Sequence, residues 1–155
     1  DKFELAPERL VIEVLETVVA NQDDSTITTN LQRLAELCCG IDLDDFGTGY
    51  ASITSIRQLA IQRIKIDRSF VTHIDRDEEQ QNMVDAILTM AKRFELDTLA
   101  EGVETPQEQD QLAAMGCSHM QGFALARPTN FDDTTNWIMA FSPINIQKDT
   151  PRIAR

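Results

Sequence analysis

The sequence is poor in several residue types, and each shortage argues against a class of protein. Its 155 residues include three cysteines, one tryptophan and one tyrosine, and 14 lysines and arginines stand against 26 aspartates and glutamates. Three cysteines, two of them adjacent (Cys38 and Cys39), do not form the even framework of a small secreted disulfide domain. The net charge of −12 argues against nucleic-acid polymers and anionic membranes as main partners, because both repel an acidic surface.

Long hydrophobic runs and linkers are also missing. No apolar run approaches the ~20 residues that span a bilayer, and the first residues, Asp1 to Glu4, do not form a signal peptide. We therefore expect a cytoplasmic segment without membrane contact, even if another domain anchors the parent protein. Because no initiator methionine precedes Asp1, we also expect the chain to begin inside a longer protein.

Short β-rich runs alternate with helical runs, a pattern typical of α/β folds with parallel strands. Asp77 is a predicted N-cap, the stretch Thr105 to Glu108 has the residues of a capping box, and Gly40 and Gly116 are predicted helix stops. The five predicted strands are Leu10–Leu15, Gly40–Asp45, Arg63–Asp67, Thr98–Val103 and Ser118–Phe123. A last helix is predicted from about Asp132 to Phe141, followed by a tail at 142–155.

The polar residues of these strands share one face. Side chains in a barrel strand alternate between the surrounding helices and the interior, and this alternation directs a charged or amide group inward from each of the five strands. The inward set comprises Glu13, Asp42, Asp44, Arg63, Lys65, Asp67, Glu101 and Gln121. Unpaired buried charges cost several kcal/mol. Lys65 supplies one compensating cation, and the excess of carboxylates predicts divalent metal bound by oxygen ligands.

Two interpretations of this acidic face remain open. The carboxyl ends of the strands are where (β/α) barrels place their active sites. Alternatively, the acidic residues are helix N-caps and solvated strand ends. A glycosidase can also use paired carboxylates on a barrel, but adjacent aspartates beside an inward lysine suit metal and phosphate chemistry better.

Five stretches, in this order, resemble the EAL-domain family of cyclic di-GMP phosphodiesterases. The resemblance covers about residues 5–141, and Leu15 stands where the family usually has threonine. The last stretch matches the terminal Gln-Gly-aromatic segment, more loosely at 124–126. The stretches are LVIEVLET at 10–17, DDFGTGYAS at 44–52, IKID at 64–67, AEGVET at 100–105 and QGFALARP at 121–128.

The resemblance implies a TIM-like (β/α) barrel that hydrolyses cyclic di-GMP to linear pGpG with two divalent ions, Mg²⁺ or Mn²⁺. It implies Glu13, Asp44, Asp45 and Glu101 as metal ligands, with Glu101 also in the substrate shell and Lys65 orienting or helping to deprotonate the attacking water. Lys65 as a structural counter-ion alone is the alternative. Glu16 is implied as the anchor of the loop after the paired aspartates. The implied substrate-side or supporting residues are Asp67, Glu104, Gln121, Phe123 and Pro128.

The family's Glu-Ala-Leu strand and a metal-binding asparagine do not occur in the sequence. The resemblance therefore leaves open a catalytically inactive module that binds cyclic di-GMP or regulates a partner, and a homodimer is expected in either case. A complete barrel needs ~250 residues. We therefore interpret residues 1–141 as the C-terminal part of an EAL domain, an incomplete barrel of about five βα units whose open edges favour self-association.

Overall fold

The computed structural model describes residues 5–20, 25–47, 56 and 59–140. Its five strands form one parallel sheet in the order β1 to β5. The strands are β1 (Val11–Leu15), β2 (Gly40–Phe46), β3 (Arg63–Ile66), β4 (Asp97–Glu101) and β5 (His119–Gln121). A 3₁₀ helix at Pro7–Arg9 precedes them, and the α-helices are α1 (Glu16–Ala20), α2 (Ser25–Glu36), α3 (Arg68–Val71), α4 (Glu78–Arg93), α5 (Pro106–Met115) and α6 (Phe131–Ala140). The predicted α/β class and all five predicted strands are confirmed.

The side chains alternate along the strands as predicted. Four strand residues on the helix-facing side, Ile41, Leu43, Ile64 and Ile66, are fully buried. They pack against α2 at one end of the sheet, and against α4 and α5 at the other. Burial of these aliphatic side chains stabilises the sheet, at roughly 1.5–3 kcal/mol for each. It also fixes which face each polar neighbour occupies, since a shift of one residue would reverse both faces.

Helix termini confirm three of the four predicted signals. The Asp77 carboxylate accepts hydrogen bonds from the backbone N–H groups of Glu79 and Gln80 at the start of α4. Thr105 and Glu108 form the predicted capping box of α5, and Gly116 ends that helix with φ at +86°. These contacts satisfy backbone groups that have no partner within the helix.

The prediction for Gly40 was wrong. Gly40 is the first residue of β2, and the left-handed residue after α2 is Cys38, with φ at +66°. The Cys39 N–H then bonds to the Leu34 carbonyl, which is the hydrogen-bond pattern of a Schellman motif. The glycine two residues further on resembled a helix stop, but the helix ended on a non-glycine residue.

The sheet is open over the described residues, because neither β1 nor β5 has a neighbour on its outer side. Val11 and Leu15 on β1 are about half exposed. At the other edge, α6 has no buried residue, and Phe131 and Met139 are largely exposed. None of the described helices is long and apolar enough to cross a bilayer. An open parallel sheet agrees with the expected incomplete barrel, and the predicted tail at 142–155 lies outside the described residues.

Candidate functional site

The inward-facing residues of four strands meet around one lysine. Lys65 of β3 is 4% exposed. Its Nζ atom lies 2.9 Å from a carboxylate oxygen of each of Glu13, Asp44 and Glu101. These partners come from β1, β2 and β4, so the lysine joins carboxylates that are up to 88 residues apart in the sequence. The predicted convergence of these strand ends is confirmed.

The charge of Lys65 is maintained by its partners. Burial by itself would lower the pKa of the ammonium, because it penalises the charged form. Hydrogen bonds to Asp44, Glu101 and Glu13 outweigh burial, so the pKa of Lys65 lies above its ordinary value of 10.5. Lys65 is therefore a stable cation at neutral pH, with its three donors directed at three carboxylates.

Three carboxylates of the same region are placed to share a metal ion. One oxygen from each of Asp44, Asp45 and Glu101 lies within 4.8 Å of the other two. Carboxylate oxygens are hard donors of the kind that Mg²⁺, Mn²⁺ and Ca²⁺ prefer. With Glu13, the cluster holds four carboxylates around one ammonium. The resulting negative charge favours binding of further cations.

An irregularity in β2 brings both adjacent aspartates into this cluster. Neighbouring residues of a regular strand point to opposite faces, which would separate Asp44 from Asp45. The pairing of β2 with β3 shifts register between Leu43 and Phe46, and Asp45 has a left-handed backbone with φ at +56°. The pKa of Asp45 is raised by burial, then by the neighbouring charges of Asp44 and Asp67. A bound cation would relieve this repulsion.

A second ion pair lies at the other end of the same face. Arg63 begins β3, and its Nη1 atom is 3.5 Å from Oδ2 of Asp42 in β2. The pKa of Asp42 is raised, because burial outweighs the attraction of Arg63. This pair is two residues before Asp44 and Lys65 along β2 and β3, and Asp42 is the register partner of Glu13 in β1.

Glu16 is the first residue of α1 and is almost completely buried, at 2% exposure. Its charge contributes to the raised pKa of Asp45, after the larger effects of burial, Asp44 and Asp67 and the opposing effect of Lys65. Its position is thus near the paired aspartates. The loop that it was predicted to anchor lies outside the described residues from 48 to 55, so the anchoring itself stays a prediction.

The remaining predicted residues surround the cluster without joining its hydrogen bonds. Asp67 was predicted to end a strand with its side chain inward, but that boundary was one residue too long. Asp67 is the N-cap of α3, and its carboxylate accepts hydrogen bonds from the backbone N–H and the hydroxyl of Ser69. The hydrogen bond from the Ser69 hydroxyl is the main reason that the pKa of Asp67 lies below its ordinary value. Glu104 forms an ion pair of 2.7 Å with Arg68 on α3.

The three residues predicted near the chain's end line a separate cavity. Gln121 ends β5 directly opposite Glu101 in the register, while Phe123 and Pro128 follow it. They face a cavity of about 680 Å³ whose wall also includes Trp137 of α6. The guanidinium carbon of Arg127 lies 4.5 Å from the centre of the Phe123 ring. The cavity is therefore adjacent to the acidic cluster through Gln121 and Glu101.

The sequence predictions missed two contributors to this region. Arg68 pairs with Glu104, and its side chain also fills the space beside Gly102, where a Cβ atom would lie 2.5 Å from Arg68 Cγ. Glu108 was recognised only as a capping residue, although its carboxylate also reaches another connection of the fold. The capping-box spacing was its only signal in the sequence.

Comparison with known proteins relates this arrangement to one family. The sequence model of the EAL domain matches residues 1–128. The bifunctional diguanylate cyclase/cyclic di-GMP phosphodiesterase MucR of Pseudomonas aeruginosa is 36% identical over 127 residues, which cover 82% of this chain and 18% of that protein. The cyclic di-GMP phosphodiesterase NbdA of the same organism is 40% identical over 77% of this chain and 15% of its own length. The chain thus spans less than a fifth of these two relatives.

Solved structures agree in fold. A structure of the MucR phosphodiesterase in complex with cyclic di-GMP has a TM-score of 0.79 at 34% identity, with 86% of this chain and 53% of that chain covered. Klebsiella pneumoniae BlrP1, in a complex with manganese and cyclic di-GMP, has a TM-score of 0.73 at 31% identity, with 80% of this chain and 31% of that chain covered. The five-stranded sheet is therefore the C-terminal part of a TIM-like barrel domain.

Proposed function

The chain belongs to the EAL domain family, and on that premise we propose that its protein hydrolyses cyclic di-GMP to linear pGpG at the acidic cluster. The observation that carries the proposal is the oxygen triad of Asp44, Asp45 and Glu101 beside the buried Lys65. An acidic site repels a phosphodiester unless cations intervene, and this triad is suited to bind them. The names of the MucR and NbdA relatives supply the substrate class.

The proposed cofactors are two divalent ions, Mg²⁺ or Mn²⁺, with Glu13, Asp44, Asp45 and Glu101 as their protein ligands. The donor set supports this assignment, because it consists of carboxylate oxygens and carries an excess of negative charge. Bound there, such ions would neutralise the scissile phosphate and make a water molecule a better nucleophile at neutral pH. Manganese in the BlrP1 complex is consistent with the same chemistry.

Lys65 acts in this proposal through position and charge. Its three hydrogen bonds hold Glu13, Asp44 and Glu101 in fixed directions, so the oxygens stand ready before a ligand binds. A cation whose pKa is raised is a poor proton acceptor. Of the two expected roles, orienting the attacking water therefore fits Lys65 better than removing its proton.

The residues around the cluster have proposed supporting roles. Gln121, Phe123 and Pro128 line the adjacent cavity, and their proposed role is contact with the nucleotide. Asp67 and Glu104 act from further away, by fixing α3 and the connection after β4. Glu16 is proposed to anchor the loop that follows the paired aspartates.

The test is a hydrolysis assay with cyclic di-GMP and either Mg²⁺ or Mn²⁺, in which pGpG is separated by chromatography. This chain is compared with a longer protein that includes the family's Glu-Ala-Leu strand. We expect turnover in the longer protein, loss of at least 100-fold on Asp44→Asn, and little change on Glu95→Gln, which alters an exposed glutamate. Binding of cyclic di-GMP without turnover in both proteins would instead establish the regulatory module.

The proposal also includes self-association in the cytoplasm. Exposed apolar side chains at both edges of the sheet, such as Val11 and Met139, support association with a second copy. Sedimentation at several concentrations measures it. A monodisperse monomer at all of them would contradict this part of the proposal and leave the hydrolysis assay unaffected.

A further inference from the structure

Glu108 has more hydrogen bonds than its helix cap requires. The residue is 3% exposed, and in a capping box its carboxylate needs to accept only the N–H of the N-cap residue, Thr105. Its Oε2 atom accepts that N–H at 3.0 Å and also the Glu104 N–H at 2.9 Å. Its Oε1 atom accepts the backbone N–H of His73 at 2.9 Å. One buried carboxylate thus serves three donors from two separate segments.

These two segments are the connections that follow the site strands β3 and β4. Glu104 and Thr105 follow Glu101, the last residue of β4. His73 follows α3 within the connection between β3 and α4, and its backbone is left-handed with φ at +69°. Lys65 and Glu101, which lie on these two strands, meet at 2.9 Å. Glu108 therefore links the connection after β3 to the connection after β4, and these connections start close to Lys65 and Glu101.

The segment between Glu101 and Glu104 is too constrained to absorb a displacement. Gly102 packs against the Arg68 side chain of α3. Val103 is fully buried, donates its N–H to the Gln121 carbonyl at 3.1 Å and accepts the Ala124 N–H at 2.9 Å. Glu104 is held by Arg68. The packed residues Gly102 and Val103 are the route by which a displacement at Glu104 would reach Glu101.

We propose that Glu108 is a positioning residue for the acidic site: by tying the connection after β4 to the connection after β3, it fixes Glu101 relative to Lys65 and Asp44. The catalytic consequence rests on the proposed hydrolysis, but the positioning itself does not. A plain helix cap would affect stability alone. A positioning residue also changes the geometry of the Lys65 contacts and the affinity for metal.

The experiment compares Glu108→Ala, Glu108→Gln and Asp77→Ala with the unaltered chain. Asp77→Ala is the matched control, because it removes a carboxylate cap that accepts two backbone N–H groups at the start of α4. Thermal unfolding confirms that all the variants fold and compares their losses of stability. The readouts are the side-chain ¹⁵N resonance of Lys65 without metal, and the affinity for Mn²⁺ alone by titration calorimetry.

We expect Glu108→Ala to shift the Lys65 resonance and to weaken Mn²⁺ binding about 10-fold or more, the range found when residues that support metal ligands are removed. Glu108→Gln should be intermediate, since its amide retains one accepting oxygen, and Asp77→Ala should change neither readout. Equal Lys65 resonances in Glu108→Ala and the unaltered chain would overturn the proposal. If the unaltered chain does not bind Mn²⁺, the carboxylates of this chain do not suffice by themselves to hold the metal, while the Lys65 resonance still decides the role of Glu108.

Discussion

Replacement of Lys65 by methionine tests whether the ammonium holds the acidic cluster together. Methionine has a similar length and no charge, so the substitution leaves packing largely intact and exposes Glu13, Asp44 and Glu101 to mutual repulsion. Removing one partner of a buried ion pair costs about 3–5 kcal/mol. The Lys65 side chain is 5% exposed, whereas those of its partners are 19–53% exposed. Water therefore stabilises the carboxylates left behind, and we expect the lower end, about 3 kcal/mol.

That loss is large enough to measure by urea denaturation at pH 7, followed by far-ultraviolet circular dichroism. In a chain of this size it lowers the melting temperature by about 6–12 °C. Lys92→Met is the control, since Lys92 is exposed on α4 and surface substitutions usually change stability by less than about 0.5 kcal/mol.

The pH dependence of the difference gives an independent check. Because the pKa of Lys65 is raised in the folded protein, the stabilisation that Lys65 provides is fully present below the ordinary pKa of 10.5. Above 10.5 the unfolded chain loses the proton first, so the contribution declines as pH rises toward the folded pKa. The difference in the free energy of unfolding between the unaltered chain and Lys65→Met should be constant from pH 7 to 10 and should decrease at higher pH.

Divalent cations should reverse part of the defect. Without the ammonium, no charge offsets the repulsion among the carboxylates of Asp44, Asp45 and Glu101. Binding of a cation to the folded protein is then more favourable and stabilises it more. Magnesium should therefore raise the melting temperature of Lys65→Met more than that of the unaltered chain. Equal stability of the two proteins at pH 7, or a gap that widens above pH 10.5, would refute the assignment of Lys65 as the counter-ion of the cluster.

Three further predictions concern the framework of the site. Gly122→Ala should destabilise the chain by several kcal/mol, because a Cβ atom there would lie 2.1 Å from the Val103 carbonyl oxygen. The control Gly116→Ala places its Cβ atom more than 4 Å from any atom of a non-adjacent residue and should cost about 1–2 kcal/mol through backbone strain alone. Similar melting temperatures for the two variants would contradict this prediction. Burial would raise the pKa of Glu108, but its hydrogen bonds to three backbone N–H groups outweigh burial and lower it. The contribution of Glu108 to the free energy of unfolding is therefore present above pH 4.5 and declines as pH falls through the folded pKa. Glu108→Gln should lose this acid dependence in unfolding experiments. Asp67→Ala should cost about 1 kcal/mol at pH 7 through loss of the α3 cap. The cost should shrink as pH falls from 3.8 through the folded pKa of Asp67, which is lowered, because the carboxylate becomes protonated over that range; a loss that is independent of pH would show that the charged cap is not responsible.

The sequence by itself determined the features that depend on local chemistry. Alternation of aliphatic and polar residues identified the strands and assigned Glu13, Asp44, Lys65 and Glu101 to one face, because side chains on a strand have a period of two. The Thr105 capping box was predicted because its hydrogen bonds join residues three apart. The ordered stretches from residue 10 to residue 128 identified the family, and its model matches residues 1–128.

Only the tertiary structure decided what depends on the pairing of distant segments. The left-handed Asp45 turns a second carboxylate into the cluster through a register shift between β2 and β3, which no local rule of alternation contains. The third hydrogen bond of Glu108 comes from His73, 35 residues away. Lys65 gains its charge environment from three different strands at once. Such contacts follow from the stacking of whole strands and helices, so their geometry exists only when the sheet has formed.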